Sequence, residues 1–212
     1  MSAVIVGAGT YGAVYLAYLS AAGENIVGFL DDDISKRDQI IHGLRVIGTS
    51  ENIESLATQG IGSLYAPIGN NEVRVNFLSH ARACGMLTPS YTHPSVVLGP
   101  AVNVGCAVYI LPGSIIMPHA QIDDDVMISM SVAIAHHTHL RKGVFLSTGV
   151  RLGASLSVGE CAYIGMSATI VTGKATEIGA HAIVGAGAVV LRNVPPGVTV
   201  IGNPARPLVK GS

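Results

Sequence analysis

The sequence predicts two successive parts: an α/β N-terminal domain of Rossmann-like βαβ type at residues 1–92, then an all-β parallel β-helix at residues 93–212. Three observations carry this. Thirteen successive sixth positions from Leu98 to Ile170, among them Ile110, Ile128 and Leu146, are aliphatic, and after a two-residue slip the series resumes at Ile178, Val184 and Val190. A glycine-rich turn, Gly7-Ala8-Gly9-Thr10-Tyr11-Gly12, follows a short apolar run near the start of the chain. Aromatic residues are only 5% of the chain, Trp is absent and Gly numbers 26, which suits a narrow solenoid filled by Ile, Val and Leu.

The apolar, β-branched run at residues 3–6 reads as a buried strand, residues 13–22 as a helix and residues 27–30 as a second strand ending on Asp31-Asp32-Asp33. Strand, glycine turn, helix, strand and terminal acid form a βαβ unit that suits a nucleotide. The glycines let the backbone approach a phosphate, the helix N-terminus favours its charge, and the acid can hold a ribose hydroxyl. Strand-like stretches follow at 44–47, 63–68 and 86–91, and helix-like ones at 51–58 and 72–83. That is one mononucleotide-binding half with additions, so a sugar nucleotide fits better than NAD, which needs two halves. Ile68-Gly69-Asn70-Asn71 is a second turn after a strand; Asn70 either contacts the ligand or caps the following helix.

Thr92-His93-Pro94 closes the first domain, because the residue before proline is pushed to an extended shape. A period of six is neither helical nor simple strand; it belongs to hexapeptide repeats, three short strands to each triangular coil. The repeats run to about Val190. The tail at 194–207 holds four prolines, cannot continue a helix and is expected to fold back on the last coil.

The totals exclude several classes. A formal charge of −1 gives no electrostatic case for nucleic acid or an anionic membrane, and no apolar run is long enough to span a bilayer despite a mean hydropathy of +0.51. No signal peptide is evident, and Cys84, Cys106 and Cys161 match neither a disulfide framework nor a zinc motif. Three reduced thiols in a cytoplasmic protein are expected.

Residues one coil apart, eighteen in sequence, become stacked neighbours at about the 4.8 Å strand spacing. Asp124, Lys142 and Glu160 then share a column and Asp123 lies under Arg141, which predicts exposed salt-bridge ladders. His136, His137 and His139 lie within four residues, and His119 lies eighteen before His137. Such a cluster suits a neutral imidazole acting as general base near pH 7; imidazoles at suitable spacing also bind zinc.

With these residues assembled, the chain resembles the bacterial nucleotide-sugar N-acetyltransferases of the sialic-acid O-acetyltransferase-like (NeuD/PglD-type) group. The resemblance rests on the glycine turn, Phe29-Leu30-Asp31-Asp32, Ile68-Gly69-Asn70-Asn71-Glu72, Thr92-His93-Pro94-Ser95, the hexads, the stretch from Val184 to Val190 with Gly185, Gly187 and Ala188, and Val194-Pro195 with Gly202-Asn203-Pro204-Ala205. It implies a left-handed β-helix, a cytoplasmic homotrimer, and acetyl transfer from acetyl-CoA to the amine of a nucleotide-linked amino sugar, most often a 4-amino-dideoxy sugar, for surface glycan precursors. No metal is implied. Gly7, Gly9, Thr10, Asp31, Asp32, Gly69 and Asn70 would hold the nucleotide sugar. The family's base falls on His136, with His137 beside it as the second catalytic candidate. CoA would lie in a cleft between two prisms near Gly165, Gly185, Gly187, Asn203 and Arg206, although Arg206 also fits a solvated tail residue.

The chain departs from the family pattern in four places. His137 stands where an acid usually follows the base, Ser129 where Asn is usual, Phe145 where a further histidine is usual, and two residues are inserted between Ile170 and Ile178. Three other readings therefore stand beside the first: an O-acetyltransferase on a sialic-acid-like sugar, a zinc β-helix carbonic anhydrase-like enzyme, and an inactive nucleotide-sugar-binding scaffold.

Overall fold

β1 (Ser2–Val6) is the spine of the first unit, with Ala3, Val4 and Ile5 fully buried. The computed structural model describes residues 1–208. With β2 (Asn25–Leu30), β3 (Ile40–Ile41), β4 (Leu44–Gly48) and β5 (Ile61–Tyr65) it makes a five-stranded sheet of order β3-β4-β2-β1-β5. All pairings are parallel except the β3–β4 hairpin. Three helices accompany the sheet: α1 (Thr10–Ala21), α2 (Ile53–Thr58) and α3 (Asn71–Ala83). α1 buries Gly12, Tyr15 and Leu19, one face at helical spacing. Gly12 admits no side chain, because a Cβ there would strike the Gly7 carbonyl oxygen.

Three local expectations change here. The strand expected at 63–68 stops at Tyr65, since Pro67 has no N–H to give a ladder. The strand expected at 86–91 breaks up: Leu87 makes one parallel bridge to Ser63, Pro89 ends that pairing, and Tyr91 opens a separate two-residue strand, Tyr91–Thr92. The β3 hairpin was not foreseen; its two-residue strand is too short for a periodicity to register, and Ile40 is 70% exposed.

The chain divides into two compact units at Tyr91/Thr92. The second is a left-handed parallel β-helix of two-residue strands. Strands eighteen residues apart pair in register, as in Ile110 with Ile128 and Ile128 with Leu146, and three sheets form the faces of a triangular prism. The aliphatic column Ile110, Ile128, Leu146, Ile164 is buried completely, and a second inward set, Val108, Val126, Val144 and Ala162, fills the space beside it. Each corner needs one residue in the left-handed region, and residues tolerant of it recur there: His119, Asp125, Ser131, His137, Gly143 and Gly149, with φ of 63°, 63°, 58°, 59°, 70° and 73°.

The two extra residues between Ile170 and Ile178 close a turn in which Asn193 Oδ1 accepts from the N–H groups of Thr176 (2.8 Å) and Glu177 (3.2 Å). Glu177–Ile178 then pairs with Ser157–Val158, so the column survives the slip. The prism does not end at Val190. Val194 bridges to Ile178, Thr199–Ile201 pairs with Ile183–Val184, and Val194 and Val200 are buried before Arg206–Pro207 folds back antiparallel. Pro195 and Pro196 fall between these pairings, where no ladder N–H is required, so the prolines do not stop the coil.

The expected salt-bridge columns take other partners. Asp124 Oδ1 accepts from the Cys106 N–H one coil below (2.7 Å), Lys142 reaches the buried Asp125 (3.7 Å), and Asp123 meets His139 Nε2 (2.7 Å). Backbone donors and side chains across a corner outcompete exposed ions directly above, which gain little in water.

Truncating the middle of the column tests this architecture: Leu146→Ala should lower the unfolding free energy by about 2–5 kcal/mol, measured by denaturant unfolding.

Candidate functional site

In the first unit the sheet order reverses at β1, whose neighbours are β2 on one side and β5 on the other. Open α/β sheets bind ligands at the carboxyl ends of strands flanking such a switch point. Gly7 sits there at the end of β1 with φ 92°, its N–H given to Leu30 O at 2.7 Å. Gly9 precedes α1, and a Cβ built on it would meet nothing within 4 Å, whereas Gly12 is closed by Gly7. Thr10 opens α1 and is exposed. Across the crevice, the Ile68 side chain would lie 3.7 Å from a Cβ on Gly7, so the turn holding Gly69 and Asn70 adjoins the glycine turn. Of the two readings of Asn70 the structure displays the cap: its Oδ1 accepts from Val73 N at 3.1 Å. Arg74, fully buried, donates to Ile68 O (2.7 Å) and Asn71 Oδ1 (2.9 Å), so a guanidinium braces this turn from within. Sequence reasoning passed over it; its one signal is a charge on the buried stripe of an amphipathic helix.

The two acids at the end of β2 part company. Asp31 Oδ2 accepts from Ala8 N (2.8 Å) and Lys36 Nζ (2.8 Å), and its Oδ1 from Asp33 N (3.0 Å). Burial pushes its carboxyl up, but the hydrogen bonds from Lys36, Asp33 and Ala8 outweigh that and hold it below the ordinary carboxylate value. Asp31 therefore ties the glycine turn to β2. Asp32 is exposed and lines a cavity of about 370 Å³ with Ser50, Val73, Asn76, Phe77 and His80, while its Oδ1 accepts from Ser50 N at 2.7 Å. The polar partners Ser50, Asn76 and His80 carry no sequence motif, since only folding brings them beside Asp32. A larger hollow of about 500 Å³, between α1 and the β3–β4 hairpin, includes Ser20, Glu24 and His42 but none of the expected residues.

On the prism, His136 and His137 form an exposed corner. Their Nδ1 atoms are 2.9 Å apart and their rings stand edge to face, with centroids at 5.1 Å and 89°. His119, one coil below, packs on His137 with centroids at 4.9 Å and planes at 32°. His139 belongs elsewhere: it begins a strand, and its Nε2 is held by Asp123. Ser129 is buried with its hydroxyl 3.0 Å from that of Thr148, and Phe145 is buried edge to face against Tyr163.

Gly165 and Gly185 stack in one row, where Gly165 N donates to Val184 O (2.7 Å) and a Cβ on Gly165 would lie 2.7 Å from Ala186 N. Their lack of a side chain is required by coil-to-coil approach. Gly187, at φ 66°, has open space around it. These glycines mark a different edge of the prism from His136; the face between the two edges carries Ile115, Ala133, Arg151 and Thr169. Asn203 is exposed in the final turn, and Arg206 lines a separate 220 Å³ cavity with Arg192 and Asn193, where its Nη1 donates to Ala205 O at 2.9 Å.

Among the described residues no group of three or more His, Cys, Asp or Glu is arranged to hold a metal ion, and no helix is long and apolar enough to cross a membrane. The PglD N-terminal domain family matches residues 2–81. PerB from Caulobacter crescentus, solved in complex with CoA and GDP-perosamine, shares 32% identity over 99% of this chain and 98% of its own, with a TM-score of 0.91. The acetyltransferase domain of PglB from Neisseria gonorrhoeae, solved with acetyl coenzyme A, shares 29% identity over 98% of both chains at a TM-score of 0.87. WeeI from Acinetobacter baumannii, at 24% identity over 98% of this chain and all of its own, has the same fold with a TM-score of 0.86. Comparison with the curated proteins gives no match. On its fold and its identity to PerB across both units, this chain belongs to the NeuD/PglD-type family of sugar acetyltransferases.

Proposed function

We propose that this protein transfers an acetyl group from acetyl-CoA to the amine of a nucleotide-linked amino-dideoxy sugar, a precursor of surface glycans, with a histidine general base. One observation carries the reading: two imidazoles share an Nδ1–Nδ1 hydrogen bond on an outward corner of the prism, so one ring can offer a basic nitrogen to an amine. The amine nitrogen attacks the thioester carbon, His136 takes the amine proton, and as the C–S bond breaks that proton passes from His136 to the departing thiolate, which leaves as the CoA thiol. A backbone N–H supports the oxyanion in between. The resemblance to PerB bound to CoA and GDP-perosamine supports the substrate class. Gly7, Gly9, Thr10, Gly69 and Asn70 would line the nucleotide's path, with Asp32 as the exposed acid and Asp31 as the buttress of the glycine turn. Among the described residues Cys84, Cys106 and Cys161 form no disulfide, which accords with a reducing, cytoplasmic setting.

The same geometry supports the homotrimer that the family resemblance implies. Within one prism the histidines and the row of Gly165, Gly185 and Gly187 lie on neighbouring edges, so a CoA laid along the glycine row would need a histidine supplied by a second copy. Ile115 on the face between those edges, Met117 at the histidine edge and Met130 and Met166 at the glycine edge are 49%, 44%, 46% and 53% exposed, apolar side chains suited to burial against another prism. In this arrangement Asn203 and Arg206 would meet the far end of CoA.

Acetyl-CoA and a panel of nucleotide amino sugars, followed by thiol release, test the activity directly; a folded protein that releases no thiol with any of them would overturn it. His136→Ala should lower kcat by roughly 10²-fold or more, and an unchanged rate would move the base to His137. Gly9→Ala should leave the melting temperature unchanged yet weaken nucleotide-sugar binding about tenfold or more, because only a bare backbone can approach the pyrophosphate. Met166→Arg should convert a trimer to monomers by sedimentation and abolish CoA binding; wild-type protein that sediments as a monomer would refute the trimer.

A further inference from the structure

The catalytic reading leaves open what holds the base in a useful tautomer. A neutral imidazole carries one proton, and its other nitrogen accepts; free imidazole in water prefers the proton on Nε2, the nitrogen that a projecting histidine presents outward. A base with that preference would face its substrate with a donor. The structure places the Nδ1 of a second imidazole within hydrogen-bond reach of the first. His136 Nδ1 and His137 Nδ1 are 2.9 Å apart with the rings perpendicular, so exactly one proton can lie between them.

The backbone fixes His137 rather than His136. His137 occupies the left-handed corner position with φ 59°, and its N–H is given to Pro118 O at 3.3 Å. His119 occupies the same corner one coil below at φ 63°, and its ring packs beneath that of His137. The residues directly below and above His136 in the same row are Pro118 and Ala154, which offer its ring no polar side-chain atom. Among the described residues the side chain hydrogen-bonded to the His136 ring is that of His137, itself seated on His119.

We infer that His137 is a positioning residue, whose Nδ1 accepts the Nδ1–H of His136 and so leaves Nε2 of His136 as the basic nitrogen, with His119 as the platform that keeps the His137 ring in place. A neutral ring here does the orienting work that a carboxylate could do, without adding a negative charge beside the CoA thioester. The inference rests on His136 being the base, but its physical content, the tautomer, is measurable without any substrate.

The test is a long-range ¹H–¹⁵N spectrum of protein labelled with ¹⁵N-histidine, paired with steady-state kinetics. Wild type should show His136 as the Nδ1–H tautomer and His137 as the Nε2–H tautomer. His137→Phe keeps a ring on His119 but removes the acceptor. It should return His136 to the Nε2–H form and lower kcat about 10–100-fold, a loss typical of removing an orienting partner, with KM for both substrates little changed. His137→Gln restores a carbonyl acceptor and should recover the Nδ1–H tautomer and most of the rate. His136 found as the Nε2–H form in wild type, or as the Nδ1–H form in His137→Phe, overturns the inference. A wild type that turns over no nucleotide amino sugar instead defeats the proposed activity, while the spectrum still decides the pairing.

Discussion

The approach of each coil to the next, about one strand spacing away, governs the second unit from its core to its corners. Inward positions must be aliphatic and alike enough in size to stack on themselves, which fixes the column from Ile110 through Ile128 and Leu146 to Ile164. Outward bends must pass through the left-handed region, so Gly, Ser, Asp and His recur there. Where the next coil's backbone comes closest, even a methyl is too much: a Cβ on Gly153 would lie 2.6 Å from Thr172 N, and one on Gly165 2.7 Å from Ala186 N. The same regularity turns an eighteen-residue separation into van der Waals contact, and that is how His119 comes to lie under His137.

The first unit obeys a different constraint, the satisfaction of backbone groups around a tight turn. Gly12 is bare because Gly7 presses on it, and the turn is held to β2 by the Asp31 carboxylate accepting from Ala8 N. A carboxylate with three donors already around it serves poorly as a ligand's hydrogen-bond partner, and this separates Asp31 from its neighbour. Asp32 spends one oxygen on Ser50 N but faces a cavity containing Asn76 and His80, so in the proposed site its remaining lone pairs would suit a ligand's donors rather than its phosphates. In the proposed site phosphates would fall to the glycine turn and the N-terminus of α1.

Much of this was legible in the residues, and the limits have physical causes. The hexad column was readable because a period of six has no competing explanation, and the pairing of His119 with His137 followed from coil arithmetic. The Asp124–Lys142–Glu160 ladder was not, because stacked columns fix Cα positions while flexible exposed side chains choose among several partners; Lys142 took Asp125 and Asp124 took a backbone N–H. The strands at 63–68 and 86–91 were overdrawn because apolar content was weighed above Pro67 and Pro89. Arg74 was missed because a buried charge runs against every hydrophobic pattern, and only the carbonyl of Ile68 and the amide of Asn71 explain it. The cavity around Asp32 draws on β2, the turn after β4 and α3, and no spacing in the chain announces such a gathering.

Edge geometry also limits what one prism can do. The strand Thr169–Ile170 runs from the corner bearing Gly165 to the next corner, which is the one bearing His136 and His137 two coils below. A substrate lying along either edge therefore meets one set and not the other, unless a second prism brings its complementary edge alongside. Ile115 lies on the face between those edges, with Met117 at one edge and Met130 and Met166 at the other, where a partner would have to seat. Burial of such side chains contributes roughly 1.5–3 kcal/mol each when complete, so the contact that completes the site is the same one that hydrophobic burial favours. In the proposed trimer assembly and catalysis would draw on one surface, and the corner histidines would acquire a second wall when that surface is covered.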